Sequence, residues 1–277
     1  MKQIKKIPRI LLFKLLVVLT ASGAELSPLW YQHKTVAHAL GGIQGFTYTN
    51  SREALELNYR RGHRVFEVDL QTTSDGVMVA RHDWGQALAE LLEQVFDPAR
   101  PIQSYLDFRS QRIYRKFSPL SLRDIAEFMA AHEDIWLVTD TKTVTEAGAS
   151  SDFEALMKVF RDAAPLALER VVPQIYNQQM LGSVRGVFPF KHIIYTLYQT
   201  SDGDDGVVEF CKKNNISVVA MPPARLSDLF AKKLNAAGIR VYIHTINNSA
   251  EVRQLFRRGV HGVYTDHLVP GDWNVGW

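Results

Sequence analysis

The residues best equipped for chemistry lie in the run Phe66-Glu67-Val68-Asp69-Leu70. In an extended chain, i and i+2 project to one side, so Glu67 and Asp69 share a face that Phe66, Val68 and Leu70 do not. Two ionised carboxylates held side by side repel and lose hydration, a cost that a bound cation offsets. The same parity recurs at Asp140-Thr141-Lys142, where Asp140 could supply a third carboxylate and Lys142 an ammonium beside it. Hard oxygen donors of this kind suit Mg²⁺ or Ca²⁺. Taken alone, either pair reads equally as a solvated strand edge or a surface ion pair. His38 and His82, the latter followed by Asp83, each end an apolar run. Set around the carboxylates they would form an acid–base pair flanking a metal-bound group. Tyr176, Met221 and His244, together with Tyr195 and Tyr198, are candidates for lining the same mouth, although aromatic and Met residues in strands are more often core. The chain has no His-x-His pair, which weighs against an amidohydrolase-type site, and no Gly-Lys dipeptide, which excludes a phosphate loop of the Walker A kind.

Short aliphatic runs must carry these groups. Residues 35–40, 65–70, 135–140, 171–176, 192–198, 216–221, 240–246 and 262–266 read as strands, near-continuously hydrophobic as expected when both faces are covered. Helical patterns intervene over 52–61, 122–131, 153–162, 228–237 and 250–258. Asn50-Ser51, Ser121, Ser151-Asp152, Ser227 and Ser249 serve as start signals, and Gly238 and Gly259 end the last two helices. Eight strands, most followed by a helix, predict an α/β fold, a (β/α)8 TIM barrel. Ser74-Asp75-Gly76 between apolar runs predicts a β-hairpin that extends the second strand and folds it back over 77–81. A short insertion over 84–117 follows, and a barrel domain over 30–277 accounts for the rest.

The 277 residues hold a single cysteine, Cys211, which excludes an intramolecular disulfide framework and any multi-cysteine zinc site. The net charge of +3 owes itself to Lys2, Lys5, Lys6, Arg9 and Lys14; without those five, acids outnumber bases by two. A nucleic-acid partner is therefore not expected, and no obligate protein partner is evident. Residues 1–24 pair a basic start with the apolar run 10–19, broken by Lys14, and close on small residues. That order predicts a signal peptide cleaved after Ala24 and export to a periplasmic or extracellular space, with a membrane anchor as the alternative. Trp273 and Trp277 are expected to cover the bottom of the barrel.

The order His38, Asn50-Ser51-Arg52-Glu53-Ala54, Gly62, Phe66-Glu67-Val68-Asp69, Thr72, Ser74-Asp75-Gly76, Val79 and His82-Asp83 resembles the glycerophosphodiester phosphodiesterases. They belong to a superfamily that includes phosphatidylinositol-specific phospholipase C. Val241-Tyr242-Ile243-His244-Thr245-Ile246-Asn247 and Gly259-Val260-His261-Gly262-Val263-Tyr264-Thr265-Asp266 resemble that family's last two strands, so the likeness spans about 35–268. It implies that Glu67, Asp69 and Asp140 hold a divalent metal, Mg²⁺ or Ca²⁺, that His38 and His82 are the general acid–base pair, and that Lys142 contacts the substrate phosphate. The implied activity is metal-dependent hydrolysis of a glycerophosphodiester-like substrate or a phospholipid headgroup. A lyase releasing a cyclic phosphate and a non-catalytic phosphodiester-binding barrel are the alternatives. The chain departs from the family pattern at Ala39-Leu40, where Arg-Gly is usual, at Thr49, where an acid is usual, and at His244, where Trp is usual. Asp140 replaces the usual Glu, and Asp-x-Lys at this point resembles the sphingomyelinase D-like branch. These departures imply a divergent member whose substrate need not be glycerophosphocholine or its kin.

Overall fold

Parallel strands need their unpaired edges covered, and in this chain the sheet removes them by closing on itself. The computed structural model describes residues 29–273, so the expectations placed on residues 1–24 and on Trp277 lie outside the described residues. The parallel strands are β1 (Thr35–Ala37), β2 (Val65–Thr72), β4 (Trp136–Asp140), β5 (Val171–Ile175), β6 (Ile194–Thr196), β7 (Val218–Met221), β8 (Arg240–Ile243) and β9 (Gly262–Thr265). They run around the ring as β1, β9, β8, β7, β6, β5, β4, β2, and the pairing of β1 with β2 closes it. Strand β3 (Met78–Ala80) lies outside the ring, antiparallel to the end of β2. The (β/α)8 barrel and the hairpin are thus as the sequence predicts.

Helices α1 (Arg52–Arg60), α4 (Leu122–Ala131), α5 (Glu146–Ala163), α6 (Met180–Val187), α7 (Asp204–Lys213), α8 (Asp228–Ala236) and α9 (Ser249–Arg257) accompany the ring. Their starts are chemically marked. Ser51 accepts from Ala54 N, Ser227 accepts from Phe230 N, and Ser121 exchanges a reciprocal pair of bonds with Asp124. Each such cap contributes about 1 kcal/mol. The expected start of α5 at Ser151-Asp152 is wrong: Thr145 caps the helix, seven residues earlier than expected, and Ser151 and Asp152 lie inside it. Asn248 rather than Ser249 caps α9, because its side chain reaches the Ala250 and Glu251 amides. Among the described residues no helix is long and apolar enough to cross a membrane.

Strand parity sorts the core into two layers. Val36, Val65, Val138, Val172, Ile194, Val218, Ala220, Tyr242 and Tyr264 pack together in the lumen, with Trp30 beneath them. Trp30 is buried, its ring 5.3 Å from Tyr242, so it plugs the N-terminal end of the barrel. Phe66, Val68, Leu70, Val219 and Met221 belong instead to the larger layer between sheet and helices. Trp273 is buried against Phe256 of α9, on the helix layer rather than under the lumen.

The insertion forms two short helices, α2 (Gln86–Leu91) and α3 (Tyr105–Ser110). It also supplies Leu88, Leu92, Ile113, Tyr114 and Phe117 to a third cluster, with Ile43 and Ala54 as partners. Phe46 packs 4.2 Å from Tyr114 and 5.8 Å from Phe117, ring to ring. The insertion therefore backs the connection between β1 and α1.

Candidate active site

Following each strand's inward parity toward its C-terminal end brings the polar groups to that mouth of the barrel. Val65 is a lumen residue, so Glu67 and Asp69 stand above it; Asp140 stands above Trp136 and Val138 in the same way. Register does the rest: Glu67 faces Val138 and Asp69 faces Asp140 across the β2–β4 pair. One oxygen from each of Glu67, Asp69 and Asp140 lies within 4.8 Å of the others, and all three side chains are buried.

Each acid is oriented by a specific partner. Ala39 N donates to Glu67 Oε2 at 2.7 Å. Asn50 Nδ2 donates to Asp69 Oδ2 at 2.9 Å, while Asp69 N donates back to Asn50 Oδ1 at 3.3 Å. The Tyr176 hydroxyl donates to Asp140 Oδ1 and accepts from Lys142 N at 3.1 Å. Lys142 Nζ lies 2.7 Å from Asp69 Oδ1 and 2.5 Å from Asp140 Oδ2. Burial works against its charge, but Asp69, Asp140 and Glu67 outweigh burial and hold the ammonium well above its usual range.

His38 and His82 meet at this same mouth. His38 leaves β1 in a 3-10 turn, so the strand expected over 35–40 stops at Ala37. Its Nδ1 donates to Asp266 Oδ1 at 2.8 Å, and Asn247 Nδ2 holds the other oxygen of that carboxylate at 2.7 Å. Burial would lower the His38 pKa, but the Asp266 bond and the charges of Glu67 and Asp69 raise it to about 9. His82 follows β3, whose end is tied to the site by the bond from Arg81 N to Asp69 O at 2.9 Å. Its Nδ1 lies 2.7 Å from Asp83 Oδ2. Each imidazole is thus anchored at Nδ1 by a carboxylate, and Nε2 is left for other partners.

The loop between His38 and α1 is under backbone strain. Ala39, Leu40, Gln44, Tyr48 and Asn50 all have left-handed φ, between 45° and 66°, at about 1–2 kcal/mol each. Asn58 of α1 holds it by donating to Leu40 O and Gly42 O. Gly42 N donates to Asp266 O at 2.6 Å, an approach so close that a Cβ on Gly42 would meet that oxygen at 2.6 Å.

The residues expected around the mouth divide by parity. Tyr176 is fully buried, and its hydroxyl orients Asp140 at the mouth. Met221 does not line the site, because with Val219 it faces the helices while Ala220 faces the lumen. Tyr195 also faces outward, its hydroxyl donating to Asp202 Oδ2 at 2.5 Å. His244 and Tyr198 do border the mouth, their rings 5.9 Å apart. Burial, followed by the charges of His38 and Lys142, pulls the His244 pKa down to about 4, so it is neutral. Three partners escaped the sequence reading: Asp266, which parity with Tyr264 would have found, and Asn50 and Tyr48, which only the loop path brings in. Two surface hollows lie elsewhere, one beside Gln178 and Lys213 of about 680 Å³ and one beside Trp136 and His192 of about 670 Å³.

The donor set fits a hard divalent cation. It offers three oriented carboxylates, yet it is short of positive charge: burial and then the neighbouring Asp69 push the Glu67 carboxyl up to about 8. A cation among these oxygens would restore Glu67 to its ionised form.

Comparison with known proteins agrees with this fold. Among solved structures, a phosphodiesterase from Oleispira antarctica in complex with sn-glycerol-3-phosphate superimposes with a TM-score of 0.70 at 18% identity, over 87% of this chain and 95% of that one. A glycerophosphodiester phosphodiesterase from Parabacteroides distasonis gives 0.66 at 16% identity, over 87% and 96%. The corresponding enzyme from Thermotoga maritima gives 0.64 at 16%, over 84% and 94%. At such identities the likeness speaks for the fold. No curated protein matches in sequence. The profile of the Glycerophosphoryl diester phosphodiesterase family matches residues 41–269. That match covers the barrel from the first glycines after His38 to the end of the last strand, and the chain belongs to this family of phosphodiesterases.

Proposed function

We propose that this mouth hydrolyses a glycerophosphodiester-type substrate with the help of a divalent cation, Mg²⁺ or Ca²⁺, held by Glu67, Asp69 and Asp140. The observation that carries the reading is the convergence of those three buried acids within 4.8 Å at the mouth that also holds His38 and His82. Bound there, the cation would withdraw charge from the nonbridging phosphate oxygens.

The chain's own groups supply the rest. His82 Nε2 takes the proton from the attacking water as the new phosphorus–oxygen bond forms. His38, kept protonated through neutral pH by its Asp266 bond, gives a proton to the departing alkoxide as the old bond breaks. Lys142 stands beside Asp69 and Asp140, where its ammonium neutralises charge growing on a nonbridging oxygen. One structural neighbour is in complex with sn-glycerol-3-phosphate, which supports a glycerol phosphate monoester as the product class here. The neutral His244 and Tyr198 at the rim favour a polar rather than an acyl leaving group.

The test pairs turnover with metal binding. Wild-type protein with Mg²⁺ or Ca²⁺ should release an open phosphomonoester from glycerophosphodiesters, read by phosphorus NMR; a cyclic product would instead make it a lyase. Glu67→Gln should reduce kcat at least 100-fold and abolish the metal-induced rise in Tm. Retention of both would refute the assignment.

A further inference from the structure

Tyr48 lies between the two histidines. Its ring centroid is 5.0 Å from the His38 imidazole and 5.5 Å from that of His82, near-perpendicular to both at 83° and 89°. Among the described residues no hydrogen bond or ion pair links the two imidazoles directly, and the Tyr48 ring packs on both. Each imidazole is otherwise held by one carboxylate at one nitrogen, Asp266 for His38 and Asp83 for His82. A single hydrogen bond fixes a nitrogen but leaves the ring free to tilt about it. The side chain of His82 is 36% exposed, so packing from its solvent side constrains it little.

The backbone at Tyr48 suits a different residue. Its φ of 56° is left-handed, where glycine sits without cost and a side chain costs about 1–2 kcal/mol. The chain accepts that cost on a loop pinned on either side. Phe46, two residues earlier, packs on Tyr114 and Phe117 of the insertion, and Asn50, two residues later, is bonded to Asp69. Strain concentrated at a site residue points to a role for its side chain. Burial, then the charges of Asp266 and Asp69, raise the Tyr48 phenol above its usual range, so it stays neutral beside both imidazoles.

We propose that Tyr48 is a positioning residue for the acid–base pair, its ring wedged between His38 and His82 to set their separation and keep both Nε2 atoms aimed at one phosphodiester. This rests on the hydrolytic reading above. An acid and a base that act on opposite sides of one phosphorus need a fixed spacing, and misplacement by about 1 Å costs up to roughly 100-fold in rate.

The informative variant is Tyr48→Gly, which removes the ring while relieving the left-handed backbone. With glycerophosphocholine and Mg²⁺, Tyr48→Gly should lower kcat about 10- to 100-fold, change KM less than about 3-fold and leave Tm unchanged or higher. Tyr48→Phe keeps the ring and should stay within about 3-fold of wild type. Wild-type kcat in Tyr48→Gly overturns the proposal. So does an equal loss in Tyr48→Phe, which would make the hydroxyl a substrate contact. If the wild type cleaves no phosphodiester, the hydrolytic reading fails, and the placement is still read from the proton NMR of the imidazoles. The Hε1 resonances of both His38 and His82 should then move in Tyr48→Gly and stay in Tyr48→Phe, and unmoved resonances in Tyr48→Gly overturn it.

Discussion

At the residue scale, the site depends on how strongly Asp266 controls His38. Removing that carboxylate deletes the hydrogen bond that raises the imidazole pKa, while the burial that lowers it remains. In the proposed mechanism His38 is the acid, and a group acting as the acid is lost as pH rises through its pKa, so the alkaline limb of kcat/KM should report on His38. In Asp266→Asn that limb should move to lower pH, and the maximal rate should fall roughly 10-fold or more as the ring loses its orientation. A limb that stays in place would show that another group supplies the proton. Much of this site was legible before the fold was known, because alternation along a strand needs only sequence: Glu67, Asp69 and Asp140 follow from it. Asp266 obeys the same rule two residues beyond Tyr264. Met221 misled because Met suits either face, and parity rather than residue type puts it with Val219 against the helices.

At the scale of elements, the β1–α1 loop is where sequence reasoning stops. Ala39, Leu40, Gln44, Tyr48 and Asn50 adopt left-handed backbone with ordinary side chains, and nothing local in their identity announces it. Contacts distant in sequence impose it: Glu67 on Ala39, Asn58 on Leu40 and Gly42, and the insertion on Ile43 and Phe46. The insertion thus supports the loop that carries Tyr48 and Asn50 to the candidate site. Leu92 is 2% exposed within the cluster that backs this loop. Leu92→Ala should cost about 2–4 kcal/mol, read from urea midpoints. It should also lower kcat more than a destabilising change of equal size placed on α8, because the loop carries Tyr48 and Asn50. Equal kcat in the two variants, each assayed while fully folded, would deny the insertion that role. The misplaced start of α5 has a comparable cause: Ser151 and Asp152 are good caps by type, but Thr145 reaches its amide first.

At the scale of the whole molecule, closing the sheet buries ionisable groups far from the chemistry, and these set how the fold responds to acid. His63, between α1 and β2, is 2% exposed, with Nε2 at 3.0 Å from Leu268 O in the segment that follows β9. Burial lowers its pKa to about 4, against an ordinary value of 6.5. A group whose folded pKa is depressed contributes stability that is present above its unfolded pKa and lost as pH falls toward the folded one. The window is therefore pH 6.5 down to 4, and its full span is worth up to about 3 kcal/mol. His244, also lowered to about 4, adds in the same direction. Urea midpoints of the wild type should fall steadily from pH 7 to pH 4.5. In His63→Gln, where the amide can still donate to Leu268 O but cannot take up a proton, the fall should be shallower, although stability at pH 7 is lower. Parallel pH profiles for the two proteins would mean that His63 takes up its proton in the folded barrel as readily as in the unfolded chain, and that carboxylates alone set the acid limit of the barrel.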